Sequence, residues 1–177
     1  MARAHYFTRA GAREDAVALG ELHVAAWRAA YTGLFPDELL ARLSVAERIA
    51  GLRDRLALSH GPDYFVLVAE SIEDGSVAGF VSAGGSRDED RKASGEVYAL
   101  YVHPAHWGAG AGSLLLAEAL HRFGEARYES AILWVLERNV PARAFYEHAG
   151  WRADGATRPF VYESERLNEV RYLHDLD

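Results

Sequence analysis

The spacing of apolar residues along the chain predicts alternating strands and helices. After Gly11, apolar residues recur at intervals of three and four, which predicts a long amphipathic helix. Runs rich in valine and aromatic residues, bounded by glycine or charged residues, predict strands. The predicted strands cover 6–9, 64–70, 77–83, 96–102, 130–135, 151–154 and 168–176, and the predicted helices cover 14–31, 44–59, 113–125 and 139–148.

Local signals sharpen this pattern. Ser44 and Glu47 have the spacing of a capping box, in which the serine accepts a backbone N–H and the glutamate reaches back. Asp74-Gly75 predicts a tight turn between two strands. Simple alternation along 96–102 puts every second side chain, from Glu96 to Val102, on one face. Two polar segments, 84–95 and 157–166, are predicted to be surface loops.

The order β, α, α, β, β, β, α, β, α, β, β predicts an α/β chain with a mixed sheet. The chain has 177 residues, half of them apolar and a quarter charged, which suits an ordinary globular domain with a sizeable core. No repeat, linker or low-complexity tract interrupts it. We therefore predict a single domain over residues 1–177.

Composition excludes several function classes. The absence of cysteine excludes disulfides, thiol nucleophiles and cysteine zinc sites. The net charge is −7 and no block of basic residues occurs, so neither nucleic acid nor a membrane is an expected partner. His103 and His106 lack further ligands at a suitable spacing, so no metal is predicted. Without a secretory signal or a membrane-spanning stretch, the expected location is cytoplasmic.

A glycine-rich segment, Trp107-Gly108-Ala109-Gly110-Ala111-Gly112, joins a predicted strand to a predicted helix. Backbone N–H groups at a helix N-terminus bind anions, and glycines allow the close approach of a diphosphate. A phosphate-binding P-loop needs a lysine before Ser113, and the dinucleotide fingerprint needs a glycine in place of Ser113. Neither condition is met, so the residues alone leave open an anion cradle or a turn required only for packing.

Two segments together resemble a known family. Residues 100–104, Leu-Tyr-Val-His-Pro, followed by 107–115, resemble the acetyl-CoA signature of the GNAT superfamily of N-acetyltransferases. Residues 139–151 resemble the second conserved segment of that family, including the spacing from Asn139 to Tyr146. The resemblance covers nearly the whole chain. It implies a GNAT-type fold: a mixed, largely antiparallel sheet with helices on both faces and a splayed pair of parallel strands.

The resemblance implies acetyl-CoA as co-substrate and direct transfer of its acetyl group to a primary amine in a ternary complex, without a metal. The main chain of 100–102 would pair with the pantetheine arm, and the N–H of Tyr101 is a candidate donor to the oxyanion. The glycine loop would hold the pyrophosphate. The cofactor-binding residues implied in this way are Leu100, Tyr101, Val102, Gly108, Ala109, Gly110, Ala111, Gly112, Ser113, Asn139 and Arg143.

The resemblance also implies catalytic roles. Tyr146 is the candidate general acid that protonates the departing thiolate, and ordinary helix packing is its alternative role. Glu96 is the candidate general base, by analogy with histone acetyltransferases of the family; its alternative is a strand glutamate that faces water. Asn139 is a candidate for hydrogen bonding to pantetheine, for a helix N-cap, or for both. Arg143 is a candidate phosphate contact or part of a solvated helix face.

The chain departs from the family pattern at two tryptophans. Trp107 stands where glutamine or arginine is usual, which removes a cationic contact to phosphate but leaves the backbone cradle intact. Trp134 stands where some relatives that acetylate ribosomal-protein N-termini carry glutamate, which argues against such a substrate.

The amine acceptor remains open as a small molecule or a peptide, and so does the choice between monomer and homodimer. An exposed last strand is a candidate for pairing across a dimer. The alternative function from another class is a non-catalytic acyl-CoA-binding or regulatory domain, which has no need of a leaving-group acid. Candidate residues for the acceptor pocket are Trp27, Tyr31, Phe35, Phe160, Tyr162 and Glu163.

Overall fold

A computed structural model describes residues 5–58, 61 and 63–176. These residues form seven strands and five helices longer than a single 3₁₀ turn. The strands are β1 (Tyr6–Ala10), β2 (Tyr64–Ser71), β3 (Val77–Gly85), β4 (Ser94–Val102), β5 (Ser130–Leu136), β6 (Arg152–Tyr162) and β7 (Glu165–Asp175). The helices are α1 (Ala16–Ala30), α2 (Asp37–Ala41), α3 (Val45–Ala57), α4 (Ala111–Glu125) and α5 (Val140–His148).

All seven strands belong to one mixed sheet in the order β1-β2-β3-β4-β5-β7-β6. Every neighbouring pair is antiparallel except β4 and β5, which are parallel. The parallel pairing covers only Ser94↔Ser130 to Val97↔Leu133, after which the two strands diverge. The predicted sheet with its splayed parallel pair is therefore confirmed.

A β-bulge in β4 lies at the point of divergence. Ala83 pairs with Val97 and Ser82 pairs with Ala99, so Tyr98 is an extra residue with no partner in β3. Such an insertion bends the strand and shifts its alternation. Val97 and Leu100 consequently face the same core, and the expectation that every second residue from Glu96 onward shares a face is wrong.

Helices cover both faces of the sheet, as predicted. Helix α4 covers one face and buries Leu115 and Phe123 against Leu67 and Val81 of the sheet. Helices α1 and α3 cover the other face. Their core contains Leu19, Leu22, Leu52, Leu56, Val66, Val68 and Phe80.

The polar loop predicted over 157–166 is wrong. Strand β6 continues to Tyr162 and β7 begins at Glu165, so the segment is most of a β-hairpin. Its polarity follows from its position, because β6 is an edge strand whose residues are all exposed or only half-buried. Strand β7 lies between β5 and β6, so it is not the free edge that was considered for dimer pairing.

Other boundaries differ by smaller amounts. The loop predicted over 84–95 is shorter at both ends, because β3 extends to Gly85 and β4 begins at Ser94. Helix α2 was not predicted, since its five residues are too few to show helical periodicity. Ser44 caps α3 by accepting the Glu47 N–H at 3.2 Å, which is one half of the predicted capping box.

Helix α3 ends at Ala57, and the expected continuation to Ser59 and the break at Pro62 lie outside the described residues. Within residues 5–58, 61 and 63–176, no helix is both long and apolar enough to cross a bilayer.

Candidate active site

The divergence of β4 and β5 opens a cavity of about 790 Å³ in the middle of the sheet. Residues 97–102 of β4 and 133–136 of β5 form its two sides. The N-terminus of α4 and part of α5 border one end, and the C-terminal part of α1 with β6 and β7 borders the other. The cavity therefore joins a helix N-terminus to an aromatic chamber through a gap between two strands.

The main chain of β4 presents hydrogen-bonding groups to this gap. The His103 N–H donates to the Ala78 carbonyl at 2.8 Å, and in an antiparallel ladder such pairs alternate. Tyr101 therefore bonds to β3, whereas the N–H and C=O groups of Leu100 and Val102 point towards the gap. The expectation that the Tyr101 N–H faces the cavity is corrected accordingly.

Trp107 accounts for one of these gap-facing groups. Its indole N–H donates to the Val102 carbonyl at 2.8 Å, which ties the glycine loop to the end of β4. The indole is half exposed and lines the cavity. The tryptophan that replaces the usual glutamine or arginine thus holds the loop in place.

The glycine loop forms an anion cradle at the start of α4. Gly108 and Gly110 have φ values of +73° and +96°, a region that favours glycine, and a Cβ on either would meet no atom within 4 Å. Leu114 makes the first helical bond, to the Gly110 carbonyl at 3.0 Å, so the preceding N–H groups are left without helical partners. Gly112 and Ser113 line the cavity there.

The other two residues of the loop lie behind this surface. Ala109 and Ala111 are not part of the cavity lining, and the Ala111 side chain is fully buried in the core under α4. The Ala109 N–H donates to the His106 carbonyl at 3.4 Å, so any contribution of this pair to ligand binding would come from the Ala111 N–H. The open space around the glycines, together with the unpaired N–H groups, fits a diphosphate.

Tyr146 and Asn139 come together at the same end of the cavity. The Tyr146 ring packs against Phe145 and Trp151, and its hydroxyl has no hydrogen-bond partner among the described residues. Burial raises the pKa of Tyr146 well above its usual value, so the hydroxyl keeps its proton. The Asn139 carboxamide oxygen accepts the Ala142 N–H at 3.3 Å, so the N-cap role predicted for it is present.

Glu96 does not reach the cavity. Its side chain is 1% exposed and is not part of the cavity lining. The Arg87 backbone N–H donates to one carboxylate oxygen at 2.8 Å, and the Arg87 guanidinium donates to both oxygens. A carboxylate held in this way is poorly placed to take a proton from a ligand in the cavity, which argues against Glu96 as general base.

Arg143 also lies outside the cavity lining. Its guanidinium donates to the Tyr172 hydroxyl and to the Glu137 carbonyl, both at 3.0 Å. These bonds fasten α5 to β7 and to the segment after β5. The structure thus gives Arg143 a role in holding α5 in position.

Of the six candidates for the acceptor pocket, three line the cavity: Trp27, Tyr31 and Phe160. The other three do not. Phe35 is buried beneath them, and the Tyr162 hydroxyl accepts a bond from Arg48 at 2.8 Å. Glu163 is at the exposed tip of the β6–β7 hairpin, paired with Arg42. Glu163 therefore cannot attract an amine into the cavity.

Two charged residues in the lining were not predicted. The Arg158 Nε donates to the Glu169 carboxylate at 2.7 Å, directly across the β6–β7 pair. Glu169 is 8% exposed, and the Arg158 guanidinium lies over the Trp134 ring at 4.3 Å. Both residues fall in or beside the segment predicted as a polar loop, so their pairing gave no signal until the hairpin was known.

Tyr31 lines the cavity together with Trp27. Burial raises the pKa of Tyr31, and electrostatic interactions with Tyr101, Tyr146 and Glu169 raise it further. The Trp27 indole donates to the Tyr101 hydroxyl at 3.0 Å, which fixes that part of the wall. In the part of the chain that the structure describes, no group of three or more histidine, cysteine or acidic side chains is arranged to hold a metal ion.

Comparisons with known proteins bear on this site. Residues 18–151 match the model of the Acetyltransferase (GNAT) family. The chain is 33% identical over 134 residues to the uncharacterized N-acetyltransferase YuaI of Bacillus subtilis. The aligned residues are 76% of this chain and 73% of that protein.

Two solved structures share the fold. The PaiA N-acetyltransferase from Thermoplasma acidophilum, in complex with coenzyme A, has a TM-score of 0.78 at 19% identity and covers 97% of this chain and 99% of its own. YncA from Salmonella typhimurium, with its cofactor acetyl-CoA, has a TM-score of 0.69 at 24% identity and covers 98% of this chain and 95% of its own.

Proposed function

The chain belongs to the acetyltransferase (GNAT) family, and from this premise we propose that it transfers the acetyl group of acetyl-CoA to a primary amine by direct attack in a ternary complex. The observation that carries the proposal is that one cavity joins the N–H groups without helical partners at the start of α4 to the Tyr146 hydroxyl, which has no hydrogen-bond partner in the described part of the chain. The coenzyme A and acetyl-CoA held by the two similar structures support the choice of co-substrate.

Binding of the co-substrate is assigned to main-chain groups. The N–H groups around Gly112 and Ser113, at the positive end of α4, would hold the pyrophosphate. The gap-facing main chain of Leu100 and Val102 would pair with the amide groups of the pantetheine arm, as a strand pairs with a neighbour. Asn139 borders the same stretch of the cavity. This assignment needs no cationic side chain, which agrees with the position of Arg143 outside the lining.

The chemistry is divided among few groups. When bound, acetyl-CoA supplies an acetyl group activated as a thioester. A gap-facing N–H of Leu100 or Val102 is placed to stabilise negative charge on the acetyl oxygen. Tyr146 donates its proton to the departing sulfur. The neutral amine forms the C–N bond while the C–S bond breaks, and the proton lost by the amine restores Tyr146, so the step is balanced.

The experiment is the release of free thiol from acetyl-CoA, with and without a broad panel of primary amines at neutral to mildly alkaline pH. Amine-dependent release, with the acetylated amine identified by mass spectrometry, is the expected result. Binding of acetyl-CoA without amine-dependent release would instead favour a non-catalytic acyl-CoA-binding domain. Failure to bind acetyl-CoA would overturn the proposal.

A further inference from the structure

The wall of the cavity on the β6–β7 side carries a pair of opposite charges. Arg158 and Glu169 face each other across the hairpin and both line the cavity. The remaining described side chains of that chamber are aromatic or apolar, among them Trp27, Tyr31 and Phe160. Glu169 is nearly buried, and the Arg158 side chain is 38% exposed. A charged pair in an otherwise apolar chamber is a candidate recognition element, because a few placed polar groups fix the orientation of a ligand in such a pocket.

Arg158 is only partly used by the protein. Its Nε donates to Glu169, and neither Nη atom has a partner among the described residues. The buried Arg171, on the neighbouring strand β7, offers a contrast, since all three of its nitrogens donate to carboxylates at 2.8–2.9 Å. Arg171 is therefore a structural residue, whereas the Nη1–Nη2 edge of Arg158 is open for a second carboxylate.

Glu169, like Arg158, has a hydrogen-bonding atom that the described part of the protein does not use. Only its Oε2 accepts a hydrogen bond from the described part of the protein, although the residue is 8% exposed. Glu96 is the contrast here, because Arg87 donates to both of its oxygens. The Glu169 Oε1 thus remains as an acceptor for a ligand in the cavity.

An aromatic side chain fixes Arg158 of this pair in place. The Arg158 guanidinium lies 4.3 Å from the centre of the Trp134 ring, which limits its movement. Arg158, Glu169 and Tyr146 all line the same cavity. An acceptor bound to the pair would therefore share the cavity with the hydroxyl that is assigned to the leaving group.

We propose that this cavity accepts a small zwitterion, a molecule with an amine and a carboxylate close together on an apolar or aromatic body, as in an apolar amino acid. The free Nη1–Nη2 edge of Arg158 binds the carboxylate in a bidentate manner, and Glu169 Oε1 accepts a hydrogen bond from the amine. This inference rests on the proposed function, since it names the acceptor class for the same site.

The experiment uses matched compounds that differ only in the carboxylate: phenylalanine against 2-phenylethylamine, leucine against 3-methylbutylamine, and methionine against 3-(methylthio)propylamine. Kinetic constants come from thiol release with acetyl-CoA. Binding is measured separately by calorimetry with the coenzyme A complex, so it does not depend on turnover. For at least one pair, we expect the amino acid to have a KM and a Kd lower by ~10- to 100-fold, the size of one charge-assisted contact.

Variants of the pair separate recognition from structure. R158Q should raise the KM of the preferred amino acid by ~10-fold or more and change that of its decarboxylated partner by less than about twofold. R158K, which keeps the charge but not the fork, should recover part of the loss. E169Q should raise the KM of both compounds. Matched controls are R42Q and E163Q, which break an exposed ion pair at the tip of the same hairpin and should change neither constant.

The outcomes distinguish this inference from the proposed function. Acetyl transfer without a preference for the amino acid in any pair, or an R158Q effect that is equal on both members of a pair, would overturn the inference and leave the transferase intact. Carboxylate-dependent binding without turnover would support the inference and count against the transferase. Absence of both binding and turnover for every compound would refute both.

Discussion

Replacing Tyr146 with phenylalanine tests the catalytic assignment most directly, because it removes one oxygen atom and keeps the ring. The ring contacts with Phe145 and Trp151 remain. The hydroxyl has no hydrogen-bond partner in the described part of the chain, so its removal breaks no bond of the fold. We therefore expect the free energy of unfolding to change by less than about 1 kcal/mol, and the Tm by no more than ~4 °C.

The effect on turnover should be far larger. A positioned general acid contributes roughly 10²- to 10⁴-fold, which corresponds to about 3–5 kcal/mol in the barrier. We expect kcat to fall by that factor, while the Kd for acetyl-CoA changes by less than about twofold. Because burial raises the pKa of Tyr146, the acid stays protonated, so wild-type kcat should not fall as the pH rises from about 7 to 9.5.

The assay is thiol release for kcat, calorimetry for the Kd and a thermal melt for the Tm. Tyr64→Phe is the matched control, because its hydroxyl is buried and has no partner among the described residues, and Tyr64 lies outside the cavity lining. This control should keep wild-type kcat. If Tyr146→Phe also keeps kcat within about threefold, Tyr146 serves packing alone and the assignment is refuted.

Three further substitutions test other parts of the structure. Burial lowers the pKa of His23 to about 3, so below pH ~6.5 the unfolded chain takes up a proton before the native state does. The free energy of unfolding should therefore fall by about 2 kcal/mol from pH 7 to 5. His23→Leu should flatten this pH dependence in denaturant titrations. Gly110→Ala, at a φ of +96°, should cost about 1 kcal/mol of stability and weaken coenzyme A binding in calorimetry. Its control, Gly124→Ala within α4, should raise the Tm without changing the Kd for coenzyme A. Glu96→Gln should leave kcat within about threefold and the pH profile of kcat unchanged. A ~100-fold loss of kcat would instead support Glu96 as the general base.

The sequence predicted the parts of the site that depend on local backbone geometry. A strand, a glycine loop and a helix follow one another along the chain, so this backbone unit around Gly108–Ser113 was predicted from the sequence, although the residues alone left its role open between an anion cradle and a packing turn. The helix that begins at Asn139 was predicted for the same reason, and the roles of Asn139 and Tyr146 came from the family resemblance and stay predictions. Both predictions require only that neighbours in the sequence form one turn or one helix.

Predictions that depended on distant partners did less well. The argument against Glu96 as general base comes from its hydrogen bonds to Arg87, nine residues earlier, which no spacing rule indicates. Arg158 and Glu169 become partners only when β6 pairs with β7, and an exposed edge strand has the polar composition of a loop. In each case the missing information was a cross-strand contact, which strand periodicity alone does not specify.

The bulge at Tyr98 makes the length of β4 as important as its composition. Deleting one residue between Val97 and Leu100 would restore plain alternation and keep both residues facing the core under α4, but it would remove the bulge and the bend at which β4 diverges from β5. The residues assigned to binding and chemistry would still be encoded, yet the chamber would close. Insertions and deletions should therefore be tolerated at the tip of the β6–β7 hairpin and rejected in this stretch of β4, a pattern that random single-codon deletion with selection for folding and activity would reveal.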